Sequence, residues 1–179
     1  MCAICNFKIE FGIGHPLALC VATATRSAID SGLLVEDKTE GVLATARQRL
    51  AAIETLKVFQ DRLETTVAIE ELLELPDFYV LLIEGETWGF FHATPEGFDP
   101  DIVPDMPDTT TEDVEKRSIV LVMANVTLKA LLAGSLGLRQ AIDDNLVVID
   151  APAHYSEKLR AALGKSLDLG ENRVTAASN

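Results

Sequence analysis

Sequence patterns that announce a chemistry are missing from this chain. It has no G-x-S-x-G, H-E-x-x-H, G-x-G-x-x-G or Walker-type run, which removes the common hydrolase, zinc-protease, dinucleotide and P-loop classes from first place. Basic residues are scarce: 15 Lys and Arg stand against 28 Asp and Glu, a net charge of −13. A phosphate backbone or an anionic membrane surface is therefore disfavoured as a partner, and we expect no nucleic-acid binding. Long apolar runs are missing as well. The longest stretch without Asp, Glu, Lys or Arg lies between Glu10 and Arg26, short of the ~20 residues that a spanning helix needs. We expect no membrane insertion. The residues before that stretch have no basic excess, so it does not read as a secretory leader. Cysteines number three, an odd count that fits a reducing compartment better than a disulfide framework, and the expectation is a cytoplasmic protein.

What is present is a globular composition, 48% hydrophobic with few aromatics. The acidic excess is concentrated: residues 76–117 hold 11 acidic and 2 basic groups, whereas residues 118–179 hold 6 of each. In that neutral last stretch, Ile119 to Val122 and Leu146 to Ile149 are β-branched apolar runs. They flank a Leu/Ala segment punctuated by Gly134 and Gly137, the pattern of two short helices between two buried strands.

Upstream, residues 3–11 alternate with a period of two and predict a strand. Pro16 at a first helical position predicts a helix through Asp30 that Gly32 stops, with Leu17, Cys20, Val21, Ala24 and Ala28 on its buried face. From Thr39 to Leu75 the apolar residues recur every three or four positions, and Thr65 and Thr66 mark an expected kink or break. The stripe Leu50, Ile53, Leu56 and Leu63 is long enough to suggest a helix-mediated homodimer. Phe78 to Glu84 and the segment through Trp88, Phe90 and Phe91 predict a hairpin turning at Gly85-Glu86. Between Thr94 and Glu115 four prolines and eight acidic residues predict a loop. A last helix is expected at SEKLRAALG, capped by Ser156, with a flexible tail over 164–179.

The expected fold is α+β: an N-terminal strand and helices, a long helical segment, then an antiparallel sheet packed by C-terminal helices. One domain is expected over 1–163, with residues 1–75 mainly helical and residues 76–163 carrying the sheet. At VTLKALLAGSLGLRQAIDDNLVVIDAPAHYSEKLRAALG the sequence resembles the C-terminal segment of the sterol-carrier-like lipid-carrier fold. Leu131, Leu132 and Gly134 match its leucine-rich helix and glycine, Ala141 its short second helix, Leu146 to Ile149 its strand, and Leu159 and Leu163 its final helix. The resemblance implies a five-stranded sheet covered by helices around an apolar tunnel for a fatty-acyl or sterol-like ligand. It brings no catalytic residues.

Two candidate sites follow. In the first, Trp88, Phe90, Phe91, Leu132 and Leu136 wall an apolar pocket, His92 gives it a polar handle, and Phe98 and Met106 ride on an acidic lid, since ligand pockets are mostly apolar with few polar anchors. In the second, Cys2, Cys5, His15 and Cys20 have the residue types of a zinc site, although Cys5 and Cys20 read as core thiols. The functional expectation is non-enzymatic binding of an apolar small molecule without a cofactor. The alternatives are a dimeric interaction protein and a small metalloprotein.

Overall fold

Pro16 sets the backbone just ahead of α1 (Ala18–Asp30), and Gly32, at φ 78°, turns the chain out of it. This computed structural model describes residues 14–37, 41–99 and 101–168; the expected strand over 3–11, with Cys2 and Cys5, lies outside them. The long helical segment divides into α2 (Ala44–Thr66) and α3 (Ile69–Leu72). Its break falls beside the paired threonines, both of whose hydroxyls donate to the Arg62 carbonyl, and Val67 leaves in an extended conformation.

The strands are β1 (Phe78–Leu82), β2 (Thr87–Phe91), β3 (Ala93–Thr94), β4 (Gly97–Phe98), β5 (Val120–Met123) and, after helices α4 (Asn125–Leu132) and α5 (Leu138–Asp143), β6 (Val147–Asp150). Helix α6 (Ala153–Leu167) follows. Four strands form one sheet in the order β2-β1-β5-β6, and β3 with β4 makes a separate two-stranded ribbon. The β1–β2 hairpin turns through Gly85 and Glu86, at φ 85° and 49°, as the sequence predicts.

The fold is α+β, but its main sheet is mixed rather than antiparallel. β1 and β5 run parallel, with Tyr79 opposite Val120 and Leu82 opposite Met123. The cause is the long acidic connection. β2 returns the chain to the end of the sheet where β1 began, and residues 92–119 carry it past β1 to the free side of that strand. β5 therefore sets off in the direction of β1. Four strands are described in this sheet, against the five that the sterol-carrier-like resemblance implies.

Alternation along each strand sorts the core into two layers. Phe78, Val80 and Leu82, with Leu121, Met123, Phe91 and Val147, face α2, α4, α5 and α6 in the larger cluster. Tyr79, Leu81, Trp88, Val120 and Val122 face Val21 of α1 in the smaller one. Gly89 makes the α2 contact possible, because a Cβ there would stand 3.2 Å from Leu56 Cδ1 and from Phe91 Cε2.

Several expectations change at this level. Ile53, Leu56 and Leu63 are buried in the chain's own core, leaving only Leu50 of the proposed dimer stripe exposed. α1 buries Val21, Thr25 and Ala28, one helical step away from Cys20, which is exposed. α6 runs past Gly164 to Leu167 because Ser166 and Leu167 are buried, and the Ser166 hydroxyl stands 2.8 Å from that of Thr66. Ser156 does not cap it; Pro152 occupies the cap position.

The acidic loop is also held differently from expectation. Val103 and Met106 are exposed, whereas Pro107 and Thr109 are buried. Backbone and hydroxyl contacts pin it: the Tyr79 hydroxyl donates to the Asp105 carbonyl at 2.9 Å, and Ser118 N–H donates to the Asp108 carbonyl at 2.9 Å. The Thr111 hydroxyl, then the Thr110 and Thr111 amides, donate to the Asp108 carboxylate and hold its pKa down to about 2.

Candidate binding site

The residues expected to wall a pocket are divided by the sheet. Trp88 and Phe90 lie on the α1 side, where Trp88 is buried and Phe90 packs against Tyr79 at a ring separation of 4.8 Å. Phe91 and Phe98 lie on the opposite side, edge to face at 5.2 Å, and Phe91 also stacks on Phe78 at 4.9 Å. Leu132 packs partly buried against the larger cluster, and Leu136 is buried near the α4–α5 connection. His92 makes a surface pair with Asp77 at 2.8 Å, and Met106 points to solvent. The structure brings Phe91 and Phe98 together, and both are core residues.

Of the candidate zinc ligands, Cys2 and Cys5 are outside the described residues and Cys20 is on the outer surface of α1. His15 is committed elsewhere: its Nδ1 accepts the Leu17 amide at 3.2 Å and its Nε2 lies 3.2 Å from Asp150 Oδ2. Arg117 reaches the other Asp150 oxygen at 3.2 Å. Among the described residues no cluster of three or more metal-ligating side chains occurs. No described helix is long and apolar enough to cross a membrane.

A different place brings polar groups together. Where β1 and β5 end side by side, the first continues into the hairpin turn through Ile83 and Glu84, while the second enters α4 at Asn125. The chains part there and leave a cleft of about 300 Å³ under α1. It continues into a shallower one of about 390 Å³ against Leu33, Leu34 and Ala130, the two sharing Glu36, Asp37 and Val126. These sizes lie at the lower end of the ~300–1,000 Å³ of small-molecule sites.

Ala22, Ile29, Ile83 and Val126 give the cleft its apolar lining. Its polar groups are placed by the element ends. Glu84 Oε2 accepts the Asn125 amide at 2.6 Å, satisfying the first N–H of a helix that has no side-chain cap of its own. Arg26 reaches Asp30 at 2.7 Å and Glu36 at 3.1 Å, and Lys129 reaches Asp37 at 2.6 Å. Two lining residues each bury a side-chain atom that has no partner, Thr25 Oγ1 and Asn125 Oδ1, and the residues are only 6% and 5% exposed. A buried polar group left unpaired costs about 1–3 kcal/mol. Both residues belong to the lining of one cleft, to which Gln48 adds a further uncharged polar side chain.

Sequence reasoning missed this site because its components are far apart in the chain. Thr25 and Asn125 each sit within apolar patterns, and nothing local distinguishes a polar residue that lines a cleft from one that is merely tolerated in a core. Comparison with protein-family models, with curated proteins and with solved structures finds no match to this chain.

Proposed function

We propose that the protein binds a small amphiphilic molecule, without transforming it, in the cleft between α1 and the start of α4. The observation that carries this reading is a cleft of ligand size in which apolar side chains stand beside polar ones, two of whose residues, Thr25 and Asn125, each hold a buried side-chain atom without a partner. An apolar body would rest on Ile29, Ile83 and Val126, and a polar head would meet the uncharged polar side chains of the lining, Thr25, Gln48 and Asn125. The charged side chains are engaged in structural roles: Glu84 holds α4, Glu36 holds Arg26 and Asp37 holds Lys129. That commitment suits binding better than proton transfer. The apolar small-molecule ligand expected from the sequence is kept, and its site moves from the aromatic strand to this cleft. Cys20, free and exposed, is compatible with the reducing, cytoplasmic setting proposed for the chain.

Titration of the ¹⁵N-labelled protein with hexan-1-ol tests the reading. Amide shifts should concentrate at the second half of α1 and the first turn of α4, and Ala22→Trp, which fills the cleft from an exposed position, should abolish them. Shifts centred on Phe90, Phe91 and Phe98, or no saturable shifts, would reject this site.

A further inference from the structure

We infer that His15 is a proton-operated latch on α1: when the imidazole takes up a proton, the start of the helix comes away from the sheet and the cleft under its later turns loses its ligand. The coupling to the cleft rests on the binding reading above; the latch itself does not. A backbone N–H can only donate, so the Leu17 amide, which points at His15 Nδ1 from 3.2 Å, requires that nitrogen to carry a lone pair. In the neutral ring the proton then sits on Nε2, facing Asp150 Oδ2 at 3.2 Å. A second proton has only Nδ1 to go to. It would set two donors against each other at Leu17, the residue in the cap position of α1.

The surroundings leave the ring little room to adapt. Its side chain is 1% exposed, that of Asp150 is 10% exposed, and Arg117 already holds the other Asp150 oxygen at 3.2 Å. Asp150 from β6 and Arg117 from the connection ahead of β5 are the charged groups that bear on the imidazole among the described residues, and they act in opposite senses. Burial, joined by Arg117, holds the pKa below its ordinary 6.5 against the pull of Asp150. Turning the ring out to water relieves the conflict and gives up the Leu17 contact. Beside it, the Thr109 hydroxyl donates to the Gly14 carbonyl over a long 3.4 Å. α1 is lightly seated, burying Val21, Thr25 and Ala28 and packing mainly on β5. Its later turns give the cleft Ala22, Thr25, Arg26 and Ile29. One helix thus meets both the proton site and the ligand site, and each biases its seating.

Amide hydrogen exchange of the full chain, corrected for intrinsic rates, tests the latch between about pH 7 and about pH 5. Protection of Val21 and Ala22 should lie below that of Leu121 and Val122 at every pH, since α1 opens without the sheet. It should fall by up to about tenfold per pH unit below 6.5, as the uptake of one proton requires. His15→Asn keeps an acceptor at the δ position and removes the proton site, and should make α1 protection independent of pH. In the unaltered chain, ring ¹⁵N shifts should show the His15 proton on Nε2 at neutral pH. At about pH 5.5, hexan-1-ol at about ten times its dissociation constant should raise α1 protection about tenfold. Equal protection of α1 and β5, protection of α1 that ignores pH, a pH response that survives in His15→Asn, or a proton on Nδ1 at neutral pH would overturn the latch. Protection of α1 unmoved by hexan-1-ol that does bind in the cleft would overturn the coupling and leave the binding reading intact. A working latch in a chain that hexan-1-ol does not bind would overturn the binding reading, and with it the coupling, while the latch stands.

Discussion

His15 and Asp150 come from opposite ends of the described chain and meet at the edge of the sheet away from the cleft, with imidazole and carboxylate almost excluded from solvent. Burial holds the His15 pKa below its ordinary 6.5, outweighing the attraction of Asp150; Arg117, on the other carboxylate oxygen, adds to the lowering. The folded chain thus prefers neutral His15 and binds this proton at lower pH than the unfolded chain does. Stability from this group is fully present above 6.5 and is lost as the pH falls from there toward the folded value. Chemical denaturation should show the unfolding free energy falling below pH 6.5, and His15→Gln should flatten that region of the profile. An unchanged slope in the variant would refute the assignment. Asp150→Asn removes the one carboxylate that both partners share and should cost on the order of 2–3 kcal/mol by urea denaturation. At this scale the sequence was a poor guide. It offered His15 as a metal ligand because residue type and spacing are local, whereas its real partners are set by where β6 ends. Cys20 was misplaced for a related reason: α1 has apolar residues on two adjoining faces, and only the sheet beneath decides that Val21, rather than Cys20, points inward.

Helix ends carry the next level of the account, because the short helices rely on carboxylates from distant elements. Glu84 takes the first amide of α4, and Asp168, just past α6, accepts the Leu138 amide that opens α5 at 2.8 Å. Asp168→Ala should therefore destabilise the protein by ~1 kcal/mol, with amide exchange accelerated in α5 ahead of the sheet strands. Equal acceleration everywhere would show that the contact has no local role. Gly89 tests the packing of α2 on β2. An added methyl meets Leu56 and Phe91 at 3.2 Å, so Gly89→Ala should cost ~1–3 kcal/mol, measured as a lowered denaturation midpoint. The elements themselves were legible. Periodicity placed α1, the α2–α3 break, the hairpin, and the strand-helix-helix-strand order from β5 to β6 within a residue or two, since each depends on local pattern and on Gly, Pro or Thr punctuation. The C-terminal extension of α6 was not, because Ser166 and Leu167 are buried by α2 and α5 partners that sequence spacing does not reveal.

Across the whole molecule, the path of residues 92–119 decides where a ligand can bind. By taking the chain past β1 it makes β1 and β5 parallel, and adjacent parallel strands that lead into a turn and a helix leave a crevice at their C-terminal ends. Neither the α+β class nor the apolar pattern of the strands encodes that placement. An antiparallel neighbour would have had the same alternation, so the mixed sheet and its cleft were beyond local reading. Alternation along β2 sets Trp88 and Phe91 in opposite core layers, so the aromatic segment packs the fold and the cleft forms elsewhere. The most direct test of the binding site is an isotope-filtered nuclear Overhauser experiment on the methyl-labelled protein with hexan-1-ol. Contacts are expected from the alkyl protons to the methyl groups of Ile29, Ile83 and Val126. Contacts instead to Leu132 and Leu136, or to no protein methyl at saturating probe, would contradict it.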